Sequence, residues 1–457
     1  DVSVTLDGPF LQAIADKARE LDAHIAVNCT VQREDGSATG SSMLYSPEGE
    51  LLADNTKQIY IGHENDFLRK ADSEGPVTRT DLGRLGLYAC MDGVIMETPR
   101  CLALNGAQVM LNSLNSFATD EASLHIPVRA AENKVYVVAA NKVGPLVPES
   151  MIDGISAATG IPRRFLDGAG ESQVVAPDGT VLVKASRDRE EFVYADIEVA
   201  RADDKRRPDG TDVIASRRPG LYASIGEDPA SQPLPAMDAV APVLGAVIAD
   251  AAQDSDALLA GIRDAVSRGA RLIALPPLAV DSDDLAQSAA MGEQMVARIA
   301  GECSDAWVST ALARPAAAGG YCYSAVLINA DGIAFEQVQV HASERCAFSA
   351  PADGFASVAT PWGRIAVITS DDSIYPETFR LLAMQGVQVA MLPLSPLEDW
   401  ELATGLLERS AENRINLLVA PDTQRHGAGF IATLQSDFTV MTEWSERDFD
   451  GLLSQPE

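Results

Sequence analysis

The chain reads as an α/β protein built from two tandem copies of one domain, each a pair of sheets with helices outside. Three observations predict this. Strand-like and helix-like segments alternate along the sequence with hairpins among them, the pattern of layered α/β architectures. The chain overlays itself at a shift of 280 residues, and self-similarity at a fixed period marks a duplicated unit. Its 457 residues also exceed what one hydrophobic core usually supports. The overlay is specific. Gly83 and Arg84 match Gly363 and Arg364, Glu97 matches Glu377, and Arg100 matches Arg380. Gly106, Gln108 and Val109 match Gly386, Gln388 and Val389, while Arg129, Glu132 and Asn133 match Arg409, Glu412 and Asn413. No gap is needed from Gly83 to Ala140.

In chain order, a helix over 8–22 leads to a strand over 24–30, then strands near 41–46 and 51–58. The apolar run from Leu85 to Ala89 predicts a short buried strand. Glu97 opens a helical pattern through Leu102 and Leu104, predicting a helix over 97–105. A strand over 107–111, a helix over 120–134 and a strand over 135–141 follow, and a meander over 172–197 ends the copy. Residues 226–240 are a Pro-rich linker. Beyond it, 243–249, a helix over 254–269 and a strand over 271–275 begin the second copy. The predicted domains are 1–225 and 241–457.

Composition bounds the function. A net charge of −31 argues against nucleic-acid or anionic-membrane partners and repels anionic substrates at long range. No apolar run approaches the ~20 residues needed to span a bilayer. Six cysteines without regular spacing suit a reducing cytoplasm better than a disulfide framework. Five scattered histidines and the absence of a Cys-x-x-Cys pair argue against a zinc site. No Gly-rich phosphate loop is present.

Cys90 ends the 85–89 strand just before a helical pattern, where open α/β sheets place their chemistry. A helix start also favours the thiolate. A cysteine in an apolar stretch is otherwise a core residue. Asp92, Glu97 and Arg100 follow it. This spacing resembles the nucleophile motif of the nitrilase, or carbon–nitrogen hydrolase, superfamily: Cys, an aromatic, Asp, then Pro-Glu, then Arg. Met91 replaces the aromatic and Met96 the proline. Further pieces occur in family order. Ser46 to Lys57 looks like the hairpin ending in the family's catalytic lysine, and Glu64 matches its second glutamate. Arg129, Glu132 and Asn133, the strand 137–141, Ser172 with Pro177 to Gly179, and Arg217 to Tyr222 complete a resemblance covering about 8–225.

The resemblance implies a four-layer α-β-β-α sandwich, here in two tandem copies that could pair internally as family dimers do, with or without further homo-oligomerisation. It implies a small-molecule amide or nitrile substrate, a thioester intermediate and no cofactor. Cys90 is then the nucleophile, Lys57 the cation that steadies the oxyanion, the Met91 N–H a second donor, and Glu64 a carboxylate orienting Lys57 or substrate. Asn112, Asn115 and Phe117 would line the pocket by analogy. His63 beside Glu64 reads as a solvated loop histidine, and Cys101 as core. Asp92, Glu97, Arg100, Arg129 and Glu132 read as scaffold, because the second copy repeats each of them.

The second copy lacks the chemistry. Ser370 stands at the Cys90 position, Pro277 where the family's first glutamate ends a strand, and no lysine follows Lys205. Glu344, Glu377, Arg380 and Glu412 remain. In the first copy, the first strands and first catalytic glutamate of the family pattern fall before Asp1. Glu20, Glu34, Glu48 and Glu50 cannot replace that glutamate in register. The sequence therefore predicts an amidase-type first domain with a non-catalytic second one. A binding scaffold without turnover and a nitrilase-like acyltransferase stay open as alternatives.

Overall fold

The computed structural model describes residues 3–61, 64–160, 162–228, 231, 235, 242–248, 254–281, 283–345, 348, 351–434 and 453–454. They fall into two units, one ending at Lys205 and one beginning at Arg206.

In the first unit, helix α1 (Pro9–Leu21) starts on a proline, tolerated there because the first-turn N–H has no helical partner. It buries Leu11, Ala15 and Ala18, spaced four and three apart on one face. Strands β1 (Ile25–Gln32), β2 (Ala38–Tyr45) and β3 (Leu51–Thr56) form an antiparallel sheet. Alternation along β2 divides its side chains: Met43 and Tyr45 pack with α1, while Leu44 packs toward a second sheet.

That second sheet comprises β4 (Thr78–Thr80), β5 (Gly83–Ala89), β6 (Val109–Leu114), β7 (Tyr136–Asn141), β10 (Gln173–Val175) and β11 (Val181–Lys184), in the order β11-β10-β7-β6-β5-β4. Strands β5, β6 and β7 are parallel, with Leu85 opposite Val109 and Val109 opposite Tyr136. Their near-continuous apolar runs suit parallel strands covered on both faces. Leu85, Leu87, Val109 and Tyr136 face the first sheet. Tyr88, Met110 and Val137 face helices α4 (Glu97–Leu104) and α5 (Ile126–Asn133) through Leu102 and Ala130. The layers are helix, sheet, sheet, helix. Short helices α2 (Glu64–Phe67) and α3 (Met91–Val94), helix α6 (Glu149–Thr159) and the small pair β8 (Val143–Pro145) and β9 (Asp167–Ala169) complete the unit.

The second unit repeats this order. Helices α7 (Ser255–Ser267) and α8 (Leu285–Cys303) cover a five-stranded sheet, β12 (Gly245–Val247), β13 (Leu272–Ala274), β14 (Trp307–Pro315), β15 (Tyr321–Asn329) and β16 (Gly332–Val338). A six-stranded sheet stacks on it: β17 (Val358–Thr360), β18 (Gly363–Val367), β19 (Val389–Leu394), β20 (Asn416–Pro421), β21 (Phe430–Leu434) and β22 (Leu453–Ser454). Helix α9 (Ser370–Ser373) follows β18, and α10 (Pro376–Met384) and α11 (Leu406–Asn413) form the outer layer. Leu272 and Ala274 face the partner sheet while Ile273 faces the helices. The register Ile365, Val389, Asn416 repeats Leu85, Val109, Tyr136 at a constant shift of 280.

The structure departs from the sequence expectation in three places. The predicted meander over 172–197 is strand only to Lys184, and 185–198 runs without strand. Helix α6 was not anticipated. Residues 206–225, expected in the first domain, group with the second unit. The reason is charge: Arg207 donates to Asp371 at 3.0 Å and Glu401 at 2.9 Å, and Arg217 donates to Glu377 at 2.8 Å. Carboxylates this deeply buried need such partners. Most of the expected linker lies outside the described residues. Among the described residues, no helix is long and apolar enough to cross a membrane.

Candidate active site

Cys90 occupies the sharp turn from β5 into α3, at φ 51° and ψ −116°. A side chain at positive φ outside helix or strand stores strain of order 1–3 kcal/mol and persists only where its surroundings hold it. Three contacts hold it here. The Cys90 N–H donates to Asn112 Oδ1 on β6 at 3.2 Å. Arg129 on α5 donates to the carbonyls of Gly93 at 2.8 Å and Val94 at 2.9 Å, its charge matched by Glu132 at 2.7 Å with both side chains fully buried. Asp92 accepts the backbone N–H groups of Gln58 at 3.1 Å and Ile59 at 2.9 Å. The turn is also crowded: a Cβ on Gly93 would lie 2.6 Å from Cε2 of buried Tyr88.

Asp92 thereby ties the Cys90 turn to the chain just after Lys57. Lys57 is no solvated surface lysine; it is 6% exposed. Its Nζ donates to Glu64 Oε2 at 2.7 Å and stands 5.4 Å from the Tyr60 ring centroid. The same Glu64 oxygen accepts the Ile61 N–H at 3.0 Å, so α2 begins on a carboxylate anchored at both ends.

The electrostatics correct one expectation. The helix start does not make Cys90 a thiolate. Burial pushes its thiol up to about 12, and the carboxylates Glu121 and Glu64 push the same way. Lys57 and the Met91 N–H oppose them without prevailing. Helix α3, at four residues, is too short to contribute a large dipole. Cys90 as a residue is half-buried, and the ionised form of its sulfur is poorly solvated. Burial likewise raises Asp92 to about 6, against the backbone N–H groups it accepts.

Of the sequence-predicted residues, Cys90, Lys57, Glu64 and Met91 act on one another. Asn112 lies beneath the turn, bonded to the Cys90 amide. Asn115 is exposed and Phe117 half-buried on the following loop. His63 lies outside the described residues. Arg100 donates to the Glu132 carbonyl at 3.2 Å and to Asn133 Oδ1 at 3.1 Å, within the scaffold. Sequence reasoning missed Glu121, a buried carboxylate on the π-helical turn 121–125 that opens α5. Its signal was available, because the 280-residue shift carries it onto Glu401.

In the second unit, Ser370 is absent from the residues at positive φ. Its hydroxyl donates to the Ser395 carbonyl at 2.9 Å and accepts the Ser395 N–H at 3.0 Å. Asp372 accepts the N–H groups of Val340 and His341 as Asp92 accepts those of Gln58 and Ile59. That equivalence places Gln339 where Lys57 stands. The backbone agrees: Lys57 N–H donates to Gly40 O and Gln339 N–H to Tyr323 O, both at 2.8 Å. The lysine that seemed to have no counterpart therefore has a positional one, a neutral glutamine.

The profile of the Carbon-nitrogen hydrolase family matches residues 1–207 and 239–427, one segment over each unit. The chain belongs to the carbon–nitrogen hydrolase family. Two family regions in tandem account for the 280-residue repeat. The chain is 28% identical to a nitrilase of Pyrococcus abyssi over 218 residues, covering 47% of this chain and 75% of that protein. It is 30% identical to an (R)-stereoselective amidase of a Pseudomonas species over 193 residues, covering 41% of this chain and 62% of that one. Among solved structures, a carbon–nitrogen hydrolase of Helicobacter pylori G27 aligns with a TM-score of 0.39 and 20% identity, over 48% of this chain and 76% of that chain. Among the described residues, no group of three or more His, Cys, Asp or Glu side chains could hold a metal ion.

Proposed function

We propose that the first unit of this carbon–nitrogen hydrolase cleaves the C–N bond of a small amide through a thioester on Cys90, and that the second unit is non-catalytic. The observation that carries this reading is the strained Cys90 turn coupled, through Asp92, to buried Lys57 and its partner Glu64. Sγ attacks the carbonyl carbon and the thiol proton passes to a carboxylate beside it. Glu121 and Glu64 are the two that act on the thiol. Lys57 Nζ and the Met91 N–H face the charge that develops on the carbonyl oxygen. The C–N bond breaks as the carboxylate returns the proton to nitrogen, and ammonia or an amine leaves. Water then attacks the thioester carbon, releasing the acid and restoring the thiol. A nitrile substrate would enter the same thioester path after addition of one water.

The non-catalytic reading of the second unit rests on Ser370, whose hydroxyl is engaged by one backbone unit, and on Gln339 in the lysine place. A serine without a base is a poor nucleophile at neutral pH. The competing reading, a family member that binds without turnover, draws on the raised Cys90 thiol. Ammonia release from a panel of small primary amides separates them. Activity that Cys90→Ala abolishes and Ser370→Ala leaves within about twofold supports the hydrolase. Release unchanged by Cys90→Ala, or an equal loss from Ser370→Ala in folded protein, overturns it.

A further inference from the structure

The two units keep one register to the end of the third parallel strand and then part. Leu114 lies opposite Asn141 as Leu394 lies opposite Pro421, at the constant shift of 280. After the next connection, Gln173 lies opposite Ala139 as Phe430 lies opposite Val419, and the shift has fallen to 257. The first unit therefore carries 23 more residues between β7 and β10 than the second carries between β20 and β21. The second unit crosses in 422–429. The first crosses in 142–172, through β8, α6, a 3-10 turn (Arg163–Leu166) and β9.

Topology puts this excursion beside Cys90. Strands β5, β6 and β7 run parallel, so their C-terminal ends lie on one side of the sheet, with Cys90 after the first and Lys142 after the third. Open α/β sheets bind their ligands on that side. The second unit shows what stands there. Asp422 and Thr423, which follow Pro421 as Lys142 and Val143 follow Asn141, line a cavity of about 430 Å³ together with Ser370, the residue at the Cys90 position.

The stem of the excursion is fixed. Asn141 Oδ1 accepts the Ser116 N–H at 3.0 Å, Asn141 Nδ2 donates to the Ser116 carbonyl at 3.2 Å, and the Ala169 N–H donates to the same carbonyl at 2.8 Å. Ser116 belongs to the loop after β6, the strand whose Asn112 holds the Cys90 N–H. A Cβ on Gly168 would lie 2.1 Å from the Lys142 carbonyl oxygen, so the two sides of the stem meet without room for a side chain. Above it, Ile152, Phe165 and Leu166 are buried, Val143, Leu146, Val147 and Ile155 are half-buried, and Met151 is exposed. Lys142 stands at the root, and Glu149, Asp153, Arg163 and Asp167 are exposed, so the half-buried surface from Val143 to Ile155 is apolar.

We propose that this excursion is the wall of the Cys90 site against which the acyl group of the amide packs, so that substrate selection resides in a segment the second unit lacks. Its half-buried surface fits amides with an aliphatic or aromatic acyl chain. The substrate class rests on the hydrolase reading; the placement of the wall does not, and thiol chemistry at Cys90 reads it without turnover.

Crosslinking of the full chain tests the placement. Val143→Cys, treated with a short bismaleimide at mildly alkaline pH, is expected to link to Cys90 in peptide maps, whereas Phe192→Cys, on the exposed segment after β11, is not. A Val143→Cys protein that is modified at both thiols and never linked overturns the proposal. Selection is read as kcat/KM for phenylacetamide over acetamide, and in parallel as the ratio of the concentrations at which the two amides protect Cys90 from iodoacetamide. Because Pro145 lies opposite Asp167, an Asn-Gly turn in place of 146–166 closes β8 on β9. This shortened chain, and Val147→Asp at full length, are each expected to lower the preference for phenylacetamide about tenfold. Lys142→Ala is expected to leave it within about twofold. An unchanged preference in both wall variants, folded by circular dichroism, overturns the proposal, as does a tenfold loss confined to Lys142→Ala. Protection that follows the expected order with no ammonia released from any amide sinks the hydrolase reading and leaves the wall standing.

Discussion

The resting state of Cys90 is open to direct measurement. Its thiol is held at about 12, against 9.0 for an ordinary cysteine. The difference of about 3 pH units corresponds to about 4 kcal/mol disfavouring the thiolate. At pH 7.5 this lowers the thiolate fraction by roughly three orders of magnitude. The greater basicity of such a thiolate recovers part of the rate, so alkylation is expected to be about two orders of magnitude slower than for an ordinary thiol. The assay is iodoacetamide labelling with peptide mapping, comparing Cys90 in folded and denatured protein. The folded rate should climb about tenfold per pH unit from 7 to 10 without levelling. Glu121→Gln removes the largest electrostatic opponent of the thiolate and should speed labelling at every pH. If Glu121 takes the thiol proton during turnover, the same variant slows ammonia release, and the two readouts move in opposite directions. A labelling rate that levels at or below pH 9 would refute the reasoning, because Lys57 and the Met91 N–H would then outweigh burial.

Three further predictions follow from the same contacts. Folded Asp92 keeps its proton to about pH 6, whereas the unfolded carboxyl releases it near 3.9. Its stabilising contribution is therefore full below about pH 4 and lost as pH rises through 6, by about 3 kcal/mol; Asp92→Asn, which keeps the acceptor oxygen, should flatten that slope in denaturant titrations between pH 4 and 7. Arg207→Ala leaves Asp371 and Glu401 buried without their shared cation and should destabilise the second unit by about 3–5 kcal/mol, seen as an early unfolding transition; a loss under 1 kcal/mol would contradict the pairing. Asn112→Leu copies the residue that the second unit carries at Leu392 and removes the acceptor of the Cys90 N–H; the fold should survive by circular dichroism while kcat falls at least tenfold, and unchanged kcat would mean that Asn112 does not position the thiol.

How much of this was legible in the sequence differs by element. The sheet register was, because β5, β6 and β7 are apolar runs and the second copy repeats them without a gap. The grouping of Cys90, Lys57 and Glu64 was legible through motif order. The position of Gln339 was not. A rigid shift of 280 carries Lys57 onto Gln337, but the hairpin gains two residues relative to the Ser370 turn, and only the Asp372 hydrogen bonds reveal the true pairing. Helix α6 was hidden by its composition, with Gly154 inside it and Ile152 its deeply buried residue. The attachment of 206–225 to the second unit depends on Arg207 meeting Asp371 and Glu401 across more than 160 residues of sequence, a pairing that no local pattern encodes.

The Cys90 and Ser370 turns separate what the fold requires from what the proposed chemistry would require. Both units carry the buried Arg–Glu pair on the outer helix, Arg129 with Glu132 and Arg409 with Glu412, and both carry the aspartate that accepts two successive backbone N–H groups. Those contacts build the sandwich and are indifferent to the residue at the strand end. The positive φ at Cys90 and the Asn112 acceptor that holds it occur in the first unit, while the second has Ser370 in a relaxed turn and Leu392 beneath it. Strain of order 1–3 kcal/mol contributes nothing to stability, and a turn that has no reaction to perform can release it. Its presence at Cys90, in a chain that also lacks it at Ser370, supports the proposed reaction at the first unit over one at the second.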